Sequence, residues 1–198
     1  MFEPLYNYIE NYSSLTLTND EKKLIHDAFK HKRLRKRQYY LQEGDINKHI
    51  GFVIKGALRM YSVDSKGHEY ILRFSLENWW VGDYESYMML TPTRFNIEAV
   101  EDSELLMITN AQMQELQAKI PAVAEMVKEL DKRASIATQN RVHAAISLTA
   151  EERYQNLQET YPGFLQRFPQ NMIASYLGIS PETLSRIRRN SMMSRKVG

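Results

Sequence analysis

The residues with most chemical potential lie near the C-terminal end, in the stretch QNMIASYLGISPETLSRIRR at positions 170–189. Helical spacing turns Leu184 and Ile187 inward and leaves Glu182, Thr183, Ser185, Arg186, Arg188 and Arg189 outward. From Phe164 to Gly198 there are six basic residues against one acidic, whereas the whole chain carries a formal charge of only +2. Clustered guanidinium groups on one short face attract a polyanion, and a DNA duplex is the polyanion such a face fits.

A face of this kind needs a rigid turn behind it, and each neighbouring residue type has a steric reason to supply one. Ile173 and Leu177 bury one side of a first helix, and Ala174 is small where two helices cross. Gly178 stands where the chain must bend sharply, Ile179 plugs the turn, Ser180 is a good N-cap and Pro181 a good first helical residue. Together these make a helix-turn-helix. The plainer alternative is a helical hairpin with a solvated basic face; the agreement of so many positions favours the DNA reader.

Stepping N-terminally, Thr149 and Glu152 form a capping box that starts a helix, and Pro162-Gly163 is expected to end it. From Pro121 onward, Val123, Val127, Leu130, Ala134, Ala137, Arg141, Ala144 and Leu148 recur at alternating spacings of four and three, a heptad seam. That seam serves either pairing with a second copy or packing on the chain's own preceding domain. Between Leu34 and Ile108, short β-branched and aromatic runs such as IGFVI, ALRMYSV and ELLMI alternate with turn residues, and five of the eight glycines fall there. This spacing predicts a sandwich or barrel of short strands, with a helix over Asn19 to Phe29 on one edge.

The order of a glycine-punctuated β-roll, one long helix and a terminal helix-turn-helix resembles the Crp/Fnr family of transcription regulators, most closely its Bacteroidetes-type members. The residues that carry the likeness are EGD at Glu43–Asp45, FVIKGALR at Phe52–Arg59, VGD at Val81–Asp83 and SPETLSRIRR at Ser180–Arg189. The resemblance implies an α+β architecture. A double-stranded β-helix of the jelly-roll-like, cyclic nucleotide-binding type would span 1–120, a dimerisation helix 121–148 and an all-α DNA-binding domain 149–198. With only Ser191–Gly198 beyond the recognition helix, a full β-hairpin wing is expected to be missing. The family's base-reading motif is Arg-Glu-Thr-x-x-Arg. Glu182 takes the place of its glutamate and Arg186 that of its last arginine, suited to a cytosine amino group and to guanine O6 and N7. Pro181 replaces the first arginine, so the target sequence should differ from the family's best-known one. Ser180, Thr183, Arg188 and Arg189 suit phosphate. Partners implied are double-stranded DNA, a second copy of the chain and RNA polymerase.

For an effector the resemblance points to Gly82, Asp83, Ser86, Thr93 and Arg94. Family members that hold a cyclic nucleotide use Gly-Glu and Arg-Ser/Thr-Ala. Here Gly82-Asp83 shortens the carboxylate, and Thr93-Arg94-Phe95 shifts the arginine by one position, to the other face of a strand. Asp83 and Glu85 also set negative charge beside a helix start at Tyr84. Cyclic nucleotide is therefore disfavoured, and these residues serve equally well as loop and core.

The absence of cysteine removes disulfides, Cys-ligated zinc and thiolate-held iron–sulfur clusters, and fits a reducing compartment. The five histidines lack compact metal-ligand spacing. Trp79-Trp80 could line a cavity but more often fills a core, and the basic run from Lys30 to Arg37 reads first as solvated surface. No stretch is apolar enough to span a bilayer and the N-terminus lacks a signal pattern, so the expectation is cytoplasmic. No Walker A loop, nucleophile elbow, zincin or dinucleotide fingerprint supports an enzyme. The competing function is a ligand-sensing module that acts through protein partners and never meets DNA.

Overall fold

An unbroken apolar run in a strand means burial on both faces, and Leu105 and Leu106 show why the run ELLMI has that form. Both are 0% exposed, yet they belong to different cores. The computed structural model describes residues 1–194. Helices α1 (Glu3–Ser13) and α2 (Asn19–Ala28) precede strands β1 (Lys30–Leu34), β2 (Tyr39–Leu41), β3 (His49–Lys55), β4 (Leu58–Val63), β5 (Glu69–Ser75) and β6 (Trp80–Val81). Then come α3 (Tyr84–Met89), β7 (Asn96–Ala99), β8 (Ser103–Thr109), α4 (Asn110–Lys119) and the long α5 (Pro121–Ser147). The chain continues with α6 (Ala150–Thr160), α7 (Pro162–Arg167), α8 (Gln170–Leu177) and α9 (Pro181–Ser194).

The strands form two four-stranded sheets, ordered β1-β8-β3-β6 and β2-β7-β4-β5. In the first, β8 runs antiparallel to β1, with Lys30 opposite Met107 and Leu34 opposite Ser103, and antiparallel to β3, with Phe52 opposite Leu106. One core holds Leu34, Leu41, Val53, Leu58, Val81, Ile97, Ala99 and Leu105. The other sets Phe52, Leu106 and Ile108 against Leu5, Ile9, Ile25, Met113, Leu116 and Val123. Trp80 joins this second core, its ring 5.4 Å from Phe52 and 6.3 Å from Phe29, so this member of the tryptophan pair is a core residue. At Gly56 (φ +104°) a Cβ would lie 2.7 Å from the Cα of Ser103, so only glycine lets the β3–β4 turn close onto β8.

Three helices begin with the reciprocal capping box, Thr18 with Glu21, Thr109 with Gln112 and Thr149 with Glu152. Pro162 departs from expectation: α6 has already ended at Thr160, and the proline opens α7. Proline suits a first helical turn as well as it suits a stop. The basic run is largely exposed, as expected of a solvated face. Its first part is strand β1, where His31 lies 3.0 Å and Arg33 3.7 Å from the Glu104 carboxylate. Among the described residues, α9 occupies the chain through Ser194 with no strand after it, and residues 195–198, where part of a wing would fall, lie outside the described residues.

By compactness the chain divides into residues 1–60 with 74–136, and 61–73 with the residues from 137 onward, a break inside α5. Among the described residues no helix is long and apolar enough to cross a membrane.

Within the first unit a buried ion pair joins neighbouring strands β4 and β7. Arg59 gives its Nη2 to the Glu98 carboxylate at 2.7 Å and its Nε to the same oxygen at 3.2 Å, with only 9% and 12% of the two side chains exposed. Removing one member strands a charge away from water. Glu98→Ala is expected to lower the unfolding free energy by about 3–5 kcal/mol, and Arg59→Met in the same chain to recover much of that loss. Urea unfolding followed by circular dichroism measures both.

Candidate nucleic-acid interface

The direction in which α9 presents its polar residues is set by what it buries. Leu184 and Ile187 are 1% and 3% exposed, and α8 meets them with Ile173, Ala174 and Leu177 at 2%, 0% and 7%. Ala174 allows the close approach that a larger side chain would block. Between the helices Gly178 takes φ +67°, and its N–H donates to the Ser175 carbonyl while that of Ile179 donates to Ala174 at 3.0 Å. These bonds close α8 in the left-handed manner that glycine adopts without steric cost. Behind the pair stand Tyr154 and Leu157 of α6 and Phe164 of α7, all buried.

The start of α9 follows from Ser180. The Thr183 N–H donates to the Ser180 Oγ at 3.2 Å, and the two hydroxyl oxygens are also 3.2 Å apart. Ser180 and Thr183, expected at phosphate, are thus engaged with each other as the cap, although Ser180 stays open to solvent. Glu182, Ser185, Arg186 and Arg189 are exposed, and Arg188 is half-buried. The Glu182 carboxylate accepts from its own backbone N–H and then from Ser180, which hold its pKa below the usual carboxylate value. It remains a pure acceptor at neutral pH. The face therefore offers one fixed acceptor near the helix N-terminus, guanidinium donors one and two turns later, and no apolar side chain between them.

Two residues that the sequence did not single out brace this pair of helices. Arg153 of α6 donates Nε to the Leu177 carbonyl at 3.2 Å and Nη1 to that of Leu148 at 2.8 Å, satisfying carbonyls at two helix ends. Ser175 of α8 accepts from the Ile71 N–H at 3.0 Å and donates to the Glu69 carbonyl at 2.9 Å. Strand β5 is a sheet edge, so these backbone groups have no neighbouring strand on that side, and one serine satisfies both. A lone arginine or serine at helical spacing gives no sequence signal for such a role.

In the first unit four of the five effector candidates come together, but they face each other. Asp83 caps α3, accepting the Glu85 N–H at 3.2 Å through one carboxylate oxygen and the Thr93 hydroxyl at 2.6 Å through the other. Ser86 accepts the Asn47 N–H at 2.9 Å and donates to the Thr91 carbonyl at 2.6 Å; the Asn47 Nδ2 donates to the Asp83 carbonyl at 3.0 Å. Asn47, Asp83, Ser86 and Thr93 are all buried, and a Cβ on Gly82 would fall 2.9 Å from the Asn47 amide. Arg94 stands apart, 78% exposed, with a guanidinium nitrogen 3.6 Å from Glu85. The chain's own carboxylate thus fills the hydrogen-bonding capacity that an anion would need, and the cation is set beside Glu85 instead. These residues do not fit a cyclic phosphate.

The heptad stripe of α5 is divided. Val123 is 1% exposed in the chain's own core, which takes it out of the expected seam between copies, while Val127 and Leu130 are partly buried against that core. Ala134, Ala137 and Arg141 are exposed, and Ala144 is half-buried.

Residues 31–119 match the cyclic nucleotide-binding domain family. Regulatory protein HlyX of Actinobacillus pleuropneumoniae is 26% identical over 184 residues, covering 87% of this chain and 76% of that protein. In fold the chain is similar to FixK2 from Bradyrhizobium japonicum (TM-score 0.70, 19% identity, 84% and 85% of the two chains covered). It is also similar to a transcriptional regulator of the Crp/Fnr family from Eubacterium rectale (TM-score 0.65, 19% identity, 95% and 88% covered). With a β-roll, a long connecting helix and a complete helix-turn-helix in that order, the chain is similar to the Crp/Fnr-type transcription regulators.

Proposed function

We propose that the chain works as a homodimer that reads a near-palindromic DNA operator through α9, in the cytoplasm, with RNA polymerase as a downstream partner. The observation that carries this reading is the exposed set Glu182, Ser185, Arg186 and Arg189, held outward by the burial of Leu184 and Ile187. An α-helix fills the major groove, so the side chains of its first two turns reach base edges. Glu182 then accepts from a cytosine amino group, and Arg186 grips guanine O6 and N7. Arg188 and Arg189 neutralise phosphate, which positions the helix without selecting sequence. Two readers in a dimer sit one DNA turn apart, about 34–36 Å, which makes the operator roughly palindromic.

The fold family implies a cyclic nucleotide in the β-roll, and we read this chain as having replaced it. The Asp83–Thr93 hydrogen bond supports that reading, because a phosphate set there would meet a carboxylate it repels. Any effector would then be of different chemistry, or would act elsewhere. An iron–sulfur cluster held by this chain's own thiolates is likewise outside the reading, since the sequence has no cysteine.

Two measurements test the proposal. Arg186→Ala is expected to cost about 1–3 kcal/mol per half-site on the operator and to relax preference at one base pair, whereas Arg189→Ala weakens specific and random DNA alike and flattens the salt dependence. Equal loss on both DNAs from Arg186→Ala, measured by fluorescence anisotropy across salt concentrations, would remove its base-reading role. In thermal unfolding, millimolar 3′,5′-cyclic AMP or cyclic GMP should leave the midpoint unchanged; a ligand that bound the folded state at about a hundredth of that concentration would add roughly 2.7 kcal/mol and raise it.

A further inference from the structure

Within the second unit two guanidinium groups stand close together with no carboxylate to neutralise them. Strand β5 places Arg73 two residues after Ile71, so both side chains leave the same face, with their α-carbons about 7 Å apart. From α5, Arg141 reaches the same stretch of strand. Its Nη2 donates to the Ile71 carbonyl at 3.4 Å, and its guanidinium lies 4.6 Å over the Tyr176 ring of α8. The three groups sense one another. Burial lowers the Arg73 pKa first and the Arg141 charge lowers it further, while Tyr176 acts the other way. Burial raises the pKa of the Tyr176 phenol, and the charges of Arg141 and Arg73 pull it down.

Like charges side by side repel. Other arginines of this chain meet a carboxylate: Arg59 lies 2.7 Å from Glu98, Arg94 3.6 Å from Glu85 and Arg133 2.7 Å from Glu129. Among the described residues, neither Arg73 nor Arg141 forms an ion pair, and the Arg73 guanidinium donates no hydrogen bond. The Arg141 guanidinium bonds only a backbone carbonyl, which carries no net charge, so most of its N–H donors are still available. Both side chains nevertheless reach solvent, and a ligand can approach them. Arg186 and Arg189 stand on the exposed face of α9, whereas a strand carbonyl and an aromatic ring pin Arg141. A cation fixed in advance loses little freedom when a small ligand arrives.

We propose that Arg73 and Arg141 together bind a phosphate dianion, as free phosphate or as the phosphoryl group of a small monoester, with the Tyr176 ring as the wall behind Arg141. A guanidinium presents paired N–H donors that match two oxygens of such a group. A phosphate monoester carries about −1.5 to −2 charge at neutral pH, which two cations balance. A cyclic diester carries a single charge and suits the pair less well. Bound there, the anion joins β5 to α5 and α8, adding to the tie that Ser175 already makes between β5 and α8. The site stands whether or not α9 reads DNA.

Isothermal titration calorimetry of the full chain in phosphate-free buffer tests this, with inorganic phosphate and glycerol 3-phosphate as probes. Wild type is expected to bind at least one of them. Arg73→Gln should weaken that binding about tenfold or more, and Arg189→Gln less than about threefold. Without ligand, Arg73→Gln should keep or raise the thermal midpoint, because it removes a repulsion and no hydrogen bond. Tighter binding of the ester assigns the phosphoryl group of a metabolite, and equal or tighter binding of free phosphate assigns the inorganic ion. No binding of either probe, or equal loss from the two variants, overturns the site. Lost binding together with a lowered midpoint marks Arg73 as structural and overturns it too. If Arg73→Gln instead weakens binding to random duplex as Arg189→Gln does, the pair serves the DNA backbone and the proposal fails.

Discussion

The phase of one short helix governs most of what this chain can do. An α-helix advances 100° per residue, so once Leu184 and Ile187 are fixed against Ala174 and Leu177, every other side chain of α9 has its direction set. Moving the buried pair back by one position would turn Arg186 toward the core, and moving it forward would take Ser185 and Arg188 there instead. The fixing depends on two close approaches: Ala174 with no room for a larger side chain, and Gly178 in the left-handed region. The guanidinium groups are thus placed by apolar packing and backbone sterics, which do not weaken with salt, although the attraction they exert does.

The same logic explains how much of the molecule was legible in advance. The helix-turn-helix could be read because each feature is local: Gly178, Ser180 and Pro181 act on their own backbone, and Leu184 and Ile187 follow from spacing alone. The β-roll could be read from its turns. Pro162 was ambiguous because a proline before a helix and a proline after one look the same until the neighbouring hydrogen bonds are known; here the Phe164 N–H bonds the Tyr161 carbonyl and a helix begins. The α5 stripe shows a different limit. A heptad spacing says that a face is buried but not by what, and Val123 and Leu130 meet their own domain.

The corner around Asp83 marks a third kind of limit. Gly82, Asp83, Ser86 and Thr93 are a plausible anion cradle by residue type. What changes their meaning is Asn47, far away in sequence, and the inward turn of the Thr93 hydroxyl. A buried carboxylate needs partners, and Asp83 takes the hydroxyl and the α3 amide that a bound phosphate would take. The polar groups of this corner satisfy each other.

If that corner is closed, control of the reader has to enter through some other bistable contact, because a ligand shifts an equilibrium only by its different affinity for two arrangements. The second unit contains a candidate in the meeting of strand β5 with α8. Ser175 satisfies both a donor and an acceptor of an edge strand whose only other option there is water, and Arg141 adds a third bond to the same strand. Exchanging such bonds for water costs little net energy per bond, whereas Ile71 of the same strand, 4% exposed, would lose its burial. Leu184 and Ile187, by contrast, cannot leave their site without exposing the whole apolar interior of the helix pair. Apolar packing therefore holds the outward face of α9 in place, while polar bonds alone tie Ser175 to the strand.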